Sequence, residues 1–180
     1  SNFTFSSPPT LTGVSICQGS TGSLTASTSC ISGGSFTVGP NDAGTGATGG
    51  GSGFAWSNIG RVTANDNNYA NSSINKYKSS EALNATNYGF SIPSNAIING
   101  VQVAIGRYGS GSNSLQDNSV KLIVGGSTQG NNNGDQSTFW PTSGTPANYG
   151  STSDLWGNSL TPAQINDPNF GVAIVVDNNN

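Results

Sequence analysis

The acids are the first place to look for chemistry, because the sequence has no histidine and only 7% charged residues. Without histidine the usual triads and zinc sites cannot be assembled, which leaves a carboxylate pair as the route to catalysis. Glycoside hydrolysis needs two such acids across a cleft, and Asp66, Glu81, Asp117, Asp135, Asp154 and Asp167 are the candidates. Their scatter through turn-like contexts reads instead as solvated loop acids, helix caps or calcium ligands. No catalytic residue is assigned, and the chain is expected not to be an enzyme.

Calcium suits such acids, since it accepts carboxylate, amide and backbone oxygens in irregular loops. Asn65-Asp66-Asn67-Asn68 is the densest run of oxygen donors, which makes Asp66 and Asn67 the metal candidates. The run lacks the spaced acids, central glycine and terminal glutamate of a helix-loop-helix calcium site, and an Asx-turn between strands accounts for the same letters. No other cofactor is expected. A sugar site would need open aromatic rings beside amides and carboxylates. Trp140, Tyr149 and Asp154 are the carbohydrate-binding candidates, while the nearby Trp156 reads as a packing residue. Cys17 and Cys30 are the two cysteines, close together in a polar segment with no histidine to complete a metal site or activate a thiolate. A disulfide is the favoured reading, adding about 3 kcal/mol through the closed loop; two unpaired thiols are the alternative.

The charge balance narrows the partners. Five basic and eight acidic residues give a net charge of -3 with no basic cluster, so the footprint of a nucleic-acid binder is missing. The longest apolar run, Val172-Ala173-Ile174-Val175-Val176, falls far short of the roughly 20 residues a membrane-spanning helix needs. A chain that starts at Ser1 with no basic-then-apolar leader reads as a mature secreted product, extracellular or on a cell surface.

These side chains need a scaffold, and 180 residues suit one domain with an extension. Abundant Gly, Ser and Asn resemble a disordered linker, but three Trp, seven Phe and several β-branched runs supply a core. Short alternating segments punctuated by Gly, Asn, Ser and Pro predict an all-β fold, a sandwich or barrel. Residues 100–108 make the clearest strand, with Val101, Val103 and Ile105 on one face and Gln102, Ala104 and Gly106 on the other. Val120, Leu122 and Val124 repeat the pattern, and 170–176 is apolar on both faces, as a central strand requires. Further strands are expected over 54–56, 62–64, 69–74 and 87–92. Thr161 followed by Pro162 predicts one capped helical turn over 161–166. Residues 131–134 read as a polar turn.

Residues 44–53 contain no bulky side chain and are expected to form a Gly-rich hinge between a strand-forming extension with the disulfide (1–43) and a β-sandwich domain (54–177). The extension's alternating pieces are too few and too small to close their own core, so its strands must add to another sheet. The acceptor is either this chain's own sandwich or a neighbouring copy's. Phe3 and Phe5 are the strand-donor candidates, each able to fill an apolar pocket while the backbone pairs with a sheet edge. Head-to-tail repetition of that contact builds an open filament.

The run Phe90-Ser91-Ile92-Pro93-Ser94-Asn95-Ala96-Ile97-Ile98-Asn99-Gly100-Val101 is followed by Asp154-Leu155-Trp156-Gly157 and by Thr161-Pro162-Ala163-Gln164-Ile165-Asn166-Asp167-Pro168-Asn169-Phe170-Gly171-Val172. In this order they resemble a module of large secreted bacterial surface proteins. The resemblance covers about 53–177 and implies a jelly-roll-like sandwich in an adhesive or structural protein. Separately, Ile16-Cys17-Gln18-Gly19 with Ser23-Leu24-Thr25-Ala26 looks like the start of immunoglobulin-like repeats in similar proteins, although no full repeat follows before the glycine tract. The expected function is a structural subunit of an extracellular filament or surface layer, with identical copies as partners. The alternative is a monomeric adhesin or carbohydrate-binding module for surface glycans.

Overall fold

The computed structural model describes residues 35–180 together with Ile16–Cys17. Phe3, Phe5 and Cys30, and with them the strand donors and the disulfide, lie outside the described residues. With 33% strand and 7% helix in antiparallel sheets, the fold is all-β as expected. A short ladder pairs β1 (Ile16–Cys17) with β2 (Ser35–Phe36).

The main sheet is organised by its last strand. β10 (Gly171–Asn178) is buried on both faces from Gly171 to Ile174, and it has a partner along each side. One side pairs with β5 (Leu83–Thr86) and then with the short β4 (Lys78–Ser79), and the other with β7 (Leu115–Val124). β3 (Thr45–Thr48) lies outside β5, and β8 (Ser127–Gln129) closes the opposite edge. Gly125 and Gly126, both at positive φ (60° and 79°), make the two-residue turn from β7 to β8, where backbone with φ above zero matches the strand twist. A second, two-stranded sheet pairs β6 (Gln102–Arg107) with β9 (Thr145–Gly150). One apolar cluster joins Val120, Leu122, Val172, Ile174 and Val176 of the main sheet to Tyr149, Val103 and Ile105 of the second.

The register of β7 against β10 shifts between Val175 and Val176: Val175 faces Ser119, whereas Val176 faces Asp117. Asn118 is the extra residue of a β-bulge, and a bulge changes which way the following side chains point. Plain alternation would place Asp117 with Ser119 and Lys121, away from Val120. The bulge puts it opposite Val176, on the core face with Val120 and Leu122.

Several expected strands take other forms. Residues 54–56 and 69–74 contribute isolated bridges, Phe54 to Ser80 and Ser57 to Asn71. Residues 62–64 lie at the end of a 3-10 helix (Ile59–Thr63), whose three-residue repeat brings Ile59 and Val62 together against the core. Residues 87–92 are interrupted by left-handed backbone at Asn87 and Gly89, beside which Tyr88 and Phe90 stack at 6.1 Å. The segment expected as a glycine hinge carries β3. Its residues are small because the 3-10 helix lies on them: a Cβ at Gly46 would meet the Ile59 carbonyl oxygen and the Val62 side chain. The expected helical turn is α1 (Pro162–Asn166), closed by a reciprocal capping box between Thr161 and Gln164.

Candidate functional site

Asp117, re-aimed by the bulge, is the most densely bonded side chain of the core. It is 1% exposed, and four donors converge on its carboxylate. Oδ1 accepts from Arg107 Nη1 at 2.5 Å and Trp140 Nε1 at 2.7 Å; Oδ2 accepts from the Asp135 backbone N–H at 2.9 Å and Tyr149 Oη at 3.0 Å. The Arg107 guanidinium, 9% exposed, lies 5.3 Å from the Trp140 ring centroid and 5.7 Å from that of Tyr149, so two aromatic faces share the cation with the carboxylate. Burial, reinforced by the Asp117 charge, raises the Tyr149 hydroxyl well above its ordinary pKa, keeping it a hydrogen-bond donor. A carboxylate has about four lone-pair sites, and all of those on Asp117 are spoken for. The cluster clamps the second sheet, through Arg107 on β6 and Tyr149 on β9, to Asp117 on β7, and it leaves no lone pair for a substrate proton.

Amides and an aspartate hold the loops around this clamp. Asn132 Oδ1 accepts from the N–H groups of Val120 and Gly134, and its Nδ2 donates to the Asn118 carbonyl, so one side chain mimics a neighbouring strand beside the bulge. The polar turn expected at 131–134 is therefore stitched to the edge of β7. Asp135 caps the next turn, accepting from Ser137 Oγ at 2.6 Å and from the N–H groups of Ser137 and Thr138. Those bonds, that of the Ser137 side chain foremost, hold the Asp135 carboxyl far below the usual carboxylate range.

The structure separates the sequence candidates. Trp140 and Tyr149, expected as sugar-binding rings, are 8% and 4% exposed and spend their polar atoms on Asp117, so neither offers an open face to a pyranose. Asp154 accepts from the Trp156 N–H and from Asn133 Nδ2, both at 2.7 Å, and shapes the loop before Trp156. Trp156 is fully buried, with Nε1 donating to the Val101 carbonyl at 2.8 Å, the packing role expected of it. Asp66 accepts from the N–H and side-chain amide of Asn68, and Asn67 sits in left-handed backbone with φ of 61°, the geometry of an Asx-turn. The side-chain bond from Asn68 lowers the Asp66 pKa. Among the described residues no three acids or cysteines gather where a metal ion could sit.

In the sequence Asp117 reads as one of the scattered loop acids, and Arg107 carries no assigned role. The signal was there in part: an Asp inside an otherwise strand-like run and an Arg closing another are costly unless they meet. What pairs them is the bulge, which leaves no mark on alternation.

Compared with known proteins, the chain matches no protein-family model, and no curated protein and no solved structure matches it significantly. No helix among the described residues is long and apolar enough to cross a membrane.

Proposed function

We propose that this chain is a structural subunit of an extracellular filament or surface layer, a jelly-roll-like sandwich joined to identical copies by β-strand addition. The observation that carries the reading is the β6–β9 sheet. Each strand has six paired residues, and among the described residues neither has a second strand along its outer edge. Val103, Ile105 and Ala147 on its inner face stay half-buried, whereas Leu122 and Val176 of the main sheet are buried almost completely. A sheet of two strands is marginal by itself, and an added strand supplies backbone hydrogen bonds and apolar cover together. The Asp117 clamp holds β6 and β9 in place, so the edge is ordered before a strand arrives and less freedom is lost on docking. The resemblance of 90–101 and 154–172 to bacterial surface modules supports the same reading.

Negative-stain microscopy of the purified full chain tests it. Filaments are expected from the full chain, and a variant lacking residues 1–10 should keep its circular dichroism spectrum and remain monomeric in sedimentation. Persistent filaments after the deletion would reject donation by Phe3 and Phe5, and a monomeric full chain at high concentration would reject the filament itself.

A further inference from the structure

We propose that the hollow around Tyr77 binds an acidic saccharide, a sugar chain carrying uronate-type carboxylates. Two adjoining hollows of about 450 and 170 Å³ share Tyr77, Lys78 and Ser79. Tyr77 is 70% exposed, the most open of the large apolar side chains among the described residues, and its backbone is left-handed with φ of 57°. Among the described residues the other non-glycine positions at positive φ are Asn58, Asn67, Asn87, Asn113 and the fully buried Trp156. Asparagine tolerates that backbone and a bulky aromatic does not, so the ring at 77 is held against local preference without burial to compensate. An exposed side chain kept in a strained conformation points to a use outside the fold.

The turn that presents the ring is pinned. Tyr77 N–H donates to the Asn178 carbonyl at 2.7 Å, Asn178 Nδ2 donates to the Ile74 carbonyl at 2.8 Å, and Lys78 N–H donates to the Asn75 carbonyl at 3.1 Å. Lys76 Nζ stands 5.1 Å from the ring centroid, so the ring carries an ammonium on one face and has the other for a ligand. Lys76 and Lys78 are two of the five basic residues of a chain with net charge -3. Among the described residues the one ion pair is Arg107 with Asp117, so neither lysine is paired with a carboxylate. Of the acids lining the hollows, Asp177 already accepts from Ser79 Oγ and Asn118 Nδ2, and Glu81 remains as an acceptor for a hydroxyl. Gly50 and Gly51 line the larger hollow with open space where side chains would be, which lets a ring approach the backbone. An exposed aromatic ring with the Lys76 ammonium beside it, Lys78 on the wall of both hollows and hydroxyl partners in a shallow site match a sugar with one apolar face and a carboxylate. The site stands independently of filament assembly.

Calorimetric titration of the full chain with three polymers tests the proposal. Oligogalacturonate is expected to bind; dextran, with the sugar face but no charge, and polyphosphate, with the charge but no sugar face, are expected to bind at least about tenfold more weakly. Tyr77→Asn removes the ring and suits the backbone, so it should weaken oligogalacturonate binding about tenfold or more while the Tm stays level or rises. Lys78→Gln should weaken binding and flatten its salt dependence. Equal binding of polyphosphate or dextran, affinity unmoved by Tyr77→Asn, or no heat with millimolar oligogalacturonate would each overturn it.

Discussion

Replacing Asp117 by alanine tests the physical account of the core most severely. The change leaves the Arg107 guanidinium 9% exposed with no counter-charge, and it orphans Trp140 Nε1, Tyr149 Oη and the Asp135 N–H together. Breaking a buried ion pair from one side costs about 3–5 kcal/mol. Each stranded buried donor adds about 1–3 kcal/mol when it finds no water, and the terms overlap because one relaxation serves several groups. A loss of about 5 kcal/mol is therefore expected, comparable with the whole stability of a domain at the low end of the roughly 5–15 kcal/mol range. Arg107→Met should cost about 3 kcal/mol, since Asp117 keeps three donors but loses its cation. The double variant Asp117→Ala, Arg107→Met removes both charges and should be less destabilised than the sum of the singles by about 2 kcal/mol or more. Urea unfolding followed by tryptophan fluorescence reads all three. A loss under about 1 kcal/mol for Asp117→Ala, or singles that add within about 0.5 kcal/mol, would refute the clamp.

Two further outcomes follow from the same structure. Burial pushes the Tyr88 hydroxyl up to about 12 from 10.0, with the Asp42 charge adding to it, and Tyr149 is shifted the same way. Both tyrosines hold their protons more tightly folded than unfolded, so this stability is intact below pH 10 and drains away as pH climbs through 12, by up to about 1.4 kcal/mol per pH unit for each; urea midpoints from pH 8 upward and a tyrosinate absorbance titration check it. Thr161→Ala removes the hydroxyl that accepts from the Gln164 N–H at 3.3 Å and one half of the capping box, and a loss of about 1 kcal/mol in chemical denaturation is expected.

The sequence was legible wherever an apolar pattern stood free of compensation. The run 170–176 marked a central strand, and Val103 and Ile105 marked a one-sided one, because burial there is carried by side chains of one period. Thr161-Pro162 marked α1 because capping is local chemistry. Glycine at 100 has a packing reason: a Cβ there would meet the backbone of residues 151–153 at about 2.5 Å. Legibility failed where backbone replaced side chain as the packing surface. β3 reads as a hinge because the 3-10 helix fills the space its side chains would occupy. The segments at 54–56 and 69–74 have strand-like composition and make single bridges, since local preference cannot supply a partner. Trp140 and Tyr149 read as open rings for a related reason: their packing around the buried Arg107 is set by tertiary contacts and leaves no periodic signal in the sequence.

The position of β10 sets an order of events. β5 and β7 are hydrogen-bonded to the same strand and not to each other, and that strand comes last in the sequence among the described elements. A chain delivered N-terminus first from a ribosome holds β3, β5, β7 and β8 in hand before the piece that unites them emerges. Until 171–178 arrives, the β3–β5 and β7–β8 pairs have no strand in common, and their apolar faces are exposed to self-association. Completion of the sheet therefore waits on 171–178, the one strand among the described elements that joins both halves.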